Sequence, residues 1–141
     1  MRTVVAALIQ SQGRILVCQR RRGDTFEFFW EFPGGKVQRG ESLEKALERE
    51  LHEELGIAAR IGAEIYRRQH TYPELKTPIE LIFFAAAAPE GEVRNLVFES
   101  IEWRQIETLP KLNFLPADKD LVEKLASGAI RLPSEGGAAT A

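Results

Sequence analysis

The sequence predicts a mixed α/β domain in which an irregular alternation of strands and helices builds a mixed sheet with helices packed on its faces. Three observations predict it. Two apolar, β-rich runs, Val4 to Ile9 and Arg14 to Gln19, are joined through Gln10-Ser11-Gln12-Gly13 and read as a hairpin. A helical segment follows from Ser42 to Leu55, with Ser42 as N-cap, Glu44 in the first turn and Gly56 where helices commonly stop. Beyond it, strand-like runs lead to a second helical segment, Asp118 to Leu125.

Between hairpin and helix, Arg20 to Asp24 reads as a charged loop with three consecutive arginines. Phe26 to Phe32 is aromatic and strand-like, and Pro33-Gly34-Gly35 breaks it. After the helix, strands are expected from Ala58 to about Tyr72, from Ile79 to Ala87, and near Ile101 to Arg104. A loop around Pro89-Glu90-Gly91 separates the last two. Leu109 to Leu115 reads as irregular, and Pro133 to Ala141, small and glycine-rich, as a disordered tail.

The 141 residues, 44% apolar and 28% charged, fit one domain, assigned to residues 1–132. A formal net charge of −2 gives no general attraction for nucleic acid polymers or anionic membranes. Cys18, the single cysteine, has no disulfide partner within the chain and reads as packing. The N-terminal residues show neither a long apolar stretch nor a cleavage site, so a cytoplasmic protein is expected, monomeric or homodimeric.

The first helix breaks its own pattern. Advancing by about 100° per residue from Leu43, Ala46, Leu47 and Leu51 define an apolar arc. Glu50 and Glu54 fall inside that arc and Glu53 at its edge, whereas Lys45, Glu48 and His52 take the opposite face. Carboxylates on a packing face are costly unless compensated, and at i, i+3 and i+4 they repel one another. Arg49 offsets only part of that charge. A divalent cation is one compensation, since hard ions such as Mg²⁺ favour oxygen ligands. A glutamate-rich helix simply facing water is the other reading. The preceding segment, Phe32 to Glu41, favours the ion: its paired glycines let backbone approach a phosphate or a metal.

Gly35, five residues, Glu41, seven residues, then Arg49-Glu50-Leu51-His52-Glu53-Glu54-Leu55-Gly56-Ile57 resembles the Nudix box without a departure. Val4-Val5-Ala6-Ala7, Gln19-Arg20, Trp30 to Lys36 and Leu115-Pro116-Ala117-Asp118 look like its MutT branch. That branch includes 8-oxo-dGTP and CTP/5-methyl-dCTP pyrophosphatases. The resemblance runs from about Val4 to Leu125 and implies an α/β/α sandwich with a mixed central sheet.

It also implies roles. Glu50, Glu53 and Glu54 would bind Mg²⁺ (Mn²⁺ as a substitute) with the carbonyl of Gly34. Glu41 and Arg49 would brace the loop against the helix. Arg20 would contact the substrate phosphates, with Gly35 and Lys36 on the phosphate loop. Glu31, Phe32 and Asp118 correspond to positions lining a base pocket, although Phe32 also reads as core and Asp118 as an N-cap. Glu53, Glu50 and a further glutamate would be catalytic; Glu99 is preferred over Glu102 because it would share an inward strand face with Ile101 and Trp103. The MutT enzyme has asparagine where Asp118 aligns and the cytidine-nucleotide branch has aspartate, which moves the expected substrate from 8-oxoguanine towards a pyrimidine or a broader range.

The implied reaction is hydrolysis of a nucleoside triphosphate to monophosphate and pyrophosphate, on an oxidised or modified dNTP or a cytidine nucleotide. The alternatives are another Nudix activity, on ADP-ribose, NADH or dinucleoside polyphosphates, and a non-catalytic nucleotide-binding domain.

Overall fold

In the computed structural model, which describes residues 2–73, 76–88 and 93–134, the N-terminal hairpin forms as its pattern predicts. Strand β1 spans Arg2–Ser11 and β2 spans Arg14–Gln19, antiparallel to it. β1 then pairs in parallel with β6, Ile79–Ala87, from Arg2↔Ile79 to Ile9↔Ala86. Next to β6 lies β5, Arg60–His70, antiparallel and bulged between Ile61 and Tyr66. On the opposite edge of β1, its first half takes the short β4, Gly34–Lys36; its last residues take β2. β2 in turn carries β3, Trp30–Glu31, and β7, Ser100–Gln105. One parallel pair among antiparallel ones makes the sheet mixed.

Strand alternation sorts the side chains into two cores. Ala6, Leu8, Ile15, Val17, Leu81 and Phe83 pack with Leu121, Val122 and Leu125 of α2, Lys119–Ser127. Val5, Ala7, Ile9, Leu16, Cys18, Ile82 and Phe84 pack with Ala46, Leu47, Leu51 and Leu55 of α1, Leu43–Leu55. Because successive side chains of a strand point to opposite faces, the uninterrupted apolar run of β1 is what a sheet covered on both sides requires. The result is the α/β/α sandwich that the resemblance implied.

Helix α1 is bounded by local chemistry. Ser42 Oγ accepts from the Lys45 amide at 3.1 Å, and Gly56 takes the left-handed conformation (φ 68°) and returns its amide to the His52 carbonyl. The second helix begins one residue later than expected, after a 3₁₀ turn over Pro116–Asp118. Another 3₁₀ turn, Ile106–Lys111, fills part of the segment read as irregular.

The largest departure lies between Phe26 and Phe32, where only Trp30–Glu31 is strand. Phe26 and Phe28 have positive φ (57° and 66°), which a strand excludes and bulky side chains rarely adopt. Polar side chains hold this loop: Arg20 Nε donates to the Thr25 carbonyl at 2.7 Å, Gln19 Nε2 to the Phe28 carbonyl at 3.1 Å, and the Gly23 amide to Glu27 at 2.9 Å. Among the described residues no helix is long and apolar enough to cross a membrane. The expected loop at Pro89 to Gly91 and nearly all of the expected tail, 135–141, lie outside the described residues.

Candidate active site

β4 lies against β1 and beneath α1, so the glycine loop and the carboxylates of the helix meet at one end of the sheet. The fit is close. A Cβ on Gly34 would come within 2.7 Å of Ala6 Cα, and a Cβ on Gly35 within 2.6 Å of both carboxylate oxygens of Glu50. At Gly34 the colliding atoms are backbone, so only glycine admits this packing; at Gly35 they are the end of the Glu50 side chain, which would have to move. The Gly34 amide donates to Glu54 Oε1 at 3.0 Å, which ties loop to helix.

Arg49 braces the arrangement. Its Nε and Nη2 grip both oxygens of Glu41, at 2.7 and 3.0 Å, and Nη2 also donates to the Lys36 carbonyl at 3.0 Å. Nη1 reaches Glu50 at 2.9 Å and Glu53 at 3.5 Å. A planar fork with several fixed donors suits such a post, which lysine could not fill. The Gln38 amide adds a bond to Glu41 at 2.8 Å. Arg49 and that amide together hold the Glu41 carboxyl down at about 2.

The three helix carboxylates differ in surroundings as the wheel predicted. Glu53 is exposed, with 57% of its side chain accessible, whereas Glu50 retains 15%. Burial raises Glu50 despite Arg49. Burial and then Glu50 push Glu54 up to about 8, and the Gly34 amide offsets only part of this. Partly buried carboxyls that stay raised with the Arg49 guanidinium on Glu50 fit a divalent cation, whose oxygen preference matches the donors. Among the described residues no three acidic, histidine or cysteine side chains already converge as a ligand cage. The donors fit by chemistry, then, and Arg49 currently shares two of them.

On the far side of the sheet end, residues from separate segments meet. Arg20 Nη1 bonds both oxygens of Glu31, at 3.2 and 3.3 Å. Asp118 is 3% exposed and stands at the N-cap position of α2, as one reading allowed, but its side chain makes no cap bond. Burial and then Glu31 push it well above the ordinary carboxyl range, against Arg68. Tyr72, pushed up to about 12 by burial and by Asp118, packs on Phe26 at 5.4 Å and on His70 at 4.4 Å.

Phe32 is 4% exposed, stacked on Phe114 at 5.2 Å and edge-on to Phe83 at 6.2 Å, in keeping with the core reading that its sequence also allowed. One expectation needs correction. Glu99 does not share an inward strand face. Ile101 and Trp103 pack towards α1, but β7 begins at Ser100, and Glu99 is exposed with its carboxylate on the Arg22 amide at 3.2 Å. Lys36 is exposed, and its contact with the site is through its carbonyl. Sequence reasoning missed Arg68 and Tyr72 as neighbours of Asp118, since they come from β5 and the chain just after it, far from Asp118 in sequence. The alternation along β5, which puts Tyr66 and Arg68 opposite Phe83 and Leu81, is the signal that could have found Arg68.

A mixed sheet between helices, with a carboxylate-bearing helix locked onto a glycine loop, defines a hydrolase of phosphoanhydrides in the Nudix mould. A model of the NUDIX domain matches residues 1–125, and the chain belongs to the Nudix family. It is 38% identical over 124 residues to an 8-oxo-dGTP diphosphatase of Haemophilus influenzae, covering 86% of this chain and 89% of that protein. To a CTP pyrophosphohydrolase of Escherichia coli it is 36% identical over 120 residues, covering 85% and 87%. The crystal structure of a MutT NUDIX hydrolase from Burkholderia pseudomallei superposes with a TM-score of 0.77 at 30% identity, over 86% of this chain and 95% of that one. The protein is a Nudix hydrolase, and such enzymes generally need a divalent metal.

Proposed function

We propose that the protein hydrolyses a nucleoside triphosphate to the monophosphate and pyrophosphate under Mg²⁺, taking an oxidised or modified dNTP or a cytidine nucleotide. The observation that carries this reading is the pair of partly buried carboxyls, Glu50 and Glu54, set against Gly34 and Gly35 and raised by burial despite the Arg49 guanidinium on Glu50. Glu50, Glu53, Glu54 and the Gly34 carbonyl would hold Mg²⁺. When bound, the ion neutralises charge on the phosphate oxygens and makes a water more acidic.

The chain's own residues do the rest. The Gly34–Gly35 backbone packs close enough to bring the loop against the Glu50 carboxylate, and Arg20 supplies a guanidinium to the phosphate oxygens. Glu53, the accessible carboxylate, is placed to take a proton from the attacking water. Arg49 and Glu41 keep helix and loop in register. Glu31 and Asp118 present carboxyl groups to the edge of the base, able to donate while protonated. Asp118 in that position favours a cytidine nucleotide or a broad range over 8-oxo-dGTP alone.

The test is a panel assayed with Mg²⁺ for pyrophosphate against phosphate release: dCTP, 5-methyl-dCTP, CTP, 8-oxo-dGTP, ADP-ribose and a dinucleoside tetraphosphate, ranked by kcat/KM. Pyrophosphate from one of the triphosphates at the highest kcat/KM is expected. Preference for ADP-ribose or the dinucleotide would overturn the substrate class, and turnover of none would overturn the enzyme.

A further inference from the structure

The Arg20–Glu31 pair joins the two halves of the site in a way that neither residue's separate role requires. Arg20 leaves the end of β2, and Glu31 stands opposite Cys18 on β3. The loop between them folds back on this pair. Arg20 exchanges backbone bonds with Phe29 (2.8 Å) and Phe28 (3.0 Å), and its Nε holds the Thr25 carbonyl at 2.7 Å. One turn further, Phe26 rests on Tyr72 at 5.4 Å, closing the loop over the wall that leads to Asp118. Phe26 and Phe28 reach this closed form at positive φ, a conformation rare for bulky side chains, which the surrounding bonds sustain.

We propose that Arg20 and Glu31 form a clasp that the substrate's phosphate chain opens, so that Arg20 passes to the phosphate and Glu31, taking a proton from solvent, turns to the base. This rests on the reading of the protein as a nucleoside triphosphate hydrolase. The phosphate end of the substrate thereby prepares the recognition of its other end.

The charges around Glu31 support the direction. From its own loop it faces Arg20 and Asp24; from α1, Glu54; from β2, the Cys18 thiol; from the chain after β5, Tyr72; and from the start of α2, Asp118. Arg20 is the single cation in that set, and all the others are anionic or neutral. Burial already pushes the Glu31 carboxyl up while Arg20 is paired with it. Moving the guanidinium onto a phosphate removes the one protein cation that favours the carboxylate, while the phosphate brings negative charge of its own against the bound ion, so a proton follows. A neutral carboxylic acid both donates and accepts, which a carboxylate cannot, and so meets a base edge of mixed donors and acceptors.

Calorimetry on the full chain with Mg²⁺, in two buffers of different ionisation enthalpy, reads the proton. Titrating in inorganic tripolyphosphate, or an α,β-methylene dCTP analogue, is expected to draw protons towards one per site. Deoxycytidine, lacking phosphate, should draw none. That uptake should disappear in Glu31→Gln, and in Arg20→Gln, where the clasp is open beforehand. Independently of either variant, the ¹³C resonance of the Glu31 carboxyl in wild-type protein should move into the protonated range on adding tripolyphosphate. Saturable tripolyphosphate binding with a stationary resonance, or equal uptake in Glu31→Gln, would overturn the clasp. Absence of any phosphate binding would overturn it together with the phosphohydrolase reading, so the two failures are told apart.

Discussion

The two sides of the sheet end carry the two halves of the site by opposite means. On the α1 side, one continuous stretch from Gly34 to Glu54 supplies the loop, the brace and the carboxylates, so that distance in sequence and distance in space agree. On the other side, Arg20, Glu31, Tyr72 and Asp118 come from four segments that meet only once the sheet is assembled. The first half is rigid by local rules, helical spacing and a cap. The second depends on the register of β2, β3 and β5, and a change in any of them can move it.

The sharpest way to break this contrast is Glu53→Gln. Glu53 is exposed and makes one long contact with Arg49, so Tm should stay close to wild type while kcat falls by about 10²–10⁴-fold. Turnover near the wild-type value would remove Glu53 from the chemistry. Gly35→Ala comes next: its methyl group would collide with the Glu50 carboxylate, and overpacking of this kind costs about 1–3 kcal/mol. Lower Tm and weaker Mn²⁺ binding by electron paramagnetic resonance are expected together; unaltered Mn²⁺ affinity would place Glu50 outside the metal set.

Asp118→Asn tests the distributed half. Selectivity between dCTP and 8-oxo-dGTP should shift by about tenfold in kcat/KM, the scale of one base-edge contact. Stability should respond as well. The folded carboxyl holds its proton above the ordinary value of 3.8, whereas the unfolded chain releases it there. Wild-type stability is therefore greatest below that value and falls as pH rises towards the folded pKa. The Tm advantage of Asn over Asp should grow as pH rises above 3.8 towards the folded pKa; a constant difference would mean that Asp118 is not held protonated by burial.

Glu41→Gln gives a smaller effect of opposite sign in pH. Its carboxyl sits at about 2 in the fold against 4.5 when free, so its contribution is complete above 4.5 and is lost as pH falls towards 2. The variant should show a flatter acid limb of Tm against pH than wild type. Least of all, Ser42→Ala should cost about 1 kcal/mol through the lost cap and leave kcat unchanged.

The same contrast explains what was legible in the sequence. Helix α1, its cap at Ser42 and its stop at Gly56 follow from local preferences, and the misplaced glutamates on its wheel announce the carboxylate cluster. The hairpin of β1 and β2 is equally local. The parallel partnership of β1 with β6 is not, because nothing in either apolar run names its neighbour. Phe26 to Phe29 misled for a related reason: aromatic content predicts strand, but hydrogen bonds donated by the Arg20 and Gln19 side chains and one accepted by Glu27 decide the backbone there. Glu99 was displaced by a single residue at the start of β7, which moved it from an inward face to the Arg22 amide.

That central parallel pairing also orders events during synthesis. Val5 meets Ile82 and Ala7 meets Phe84, so one edge of β1 stays open until the nascent chain has delivered β6, well after the glycine loop and α1 have emerged. Such distant contacts pay the closure entropy of the whole intervening chain before returning any stability, and they slow folding. The acid-laden helix must therefore wait, half-supported, for a strand encoded far downstream. A ribosome-bound chain truncated before Ile79 should leave the apolar face of β1 open to chaperones.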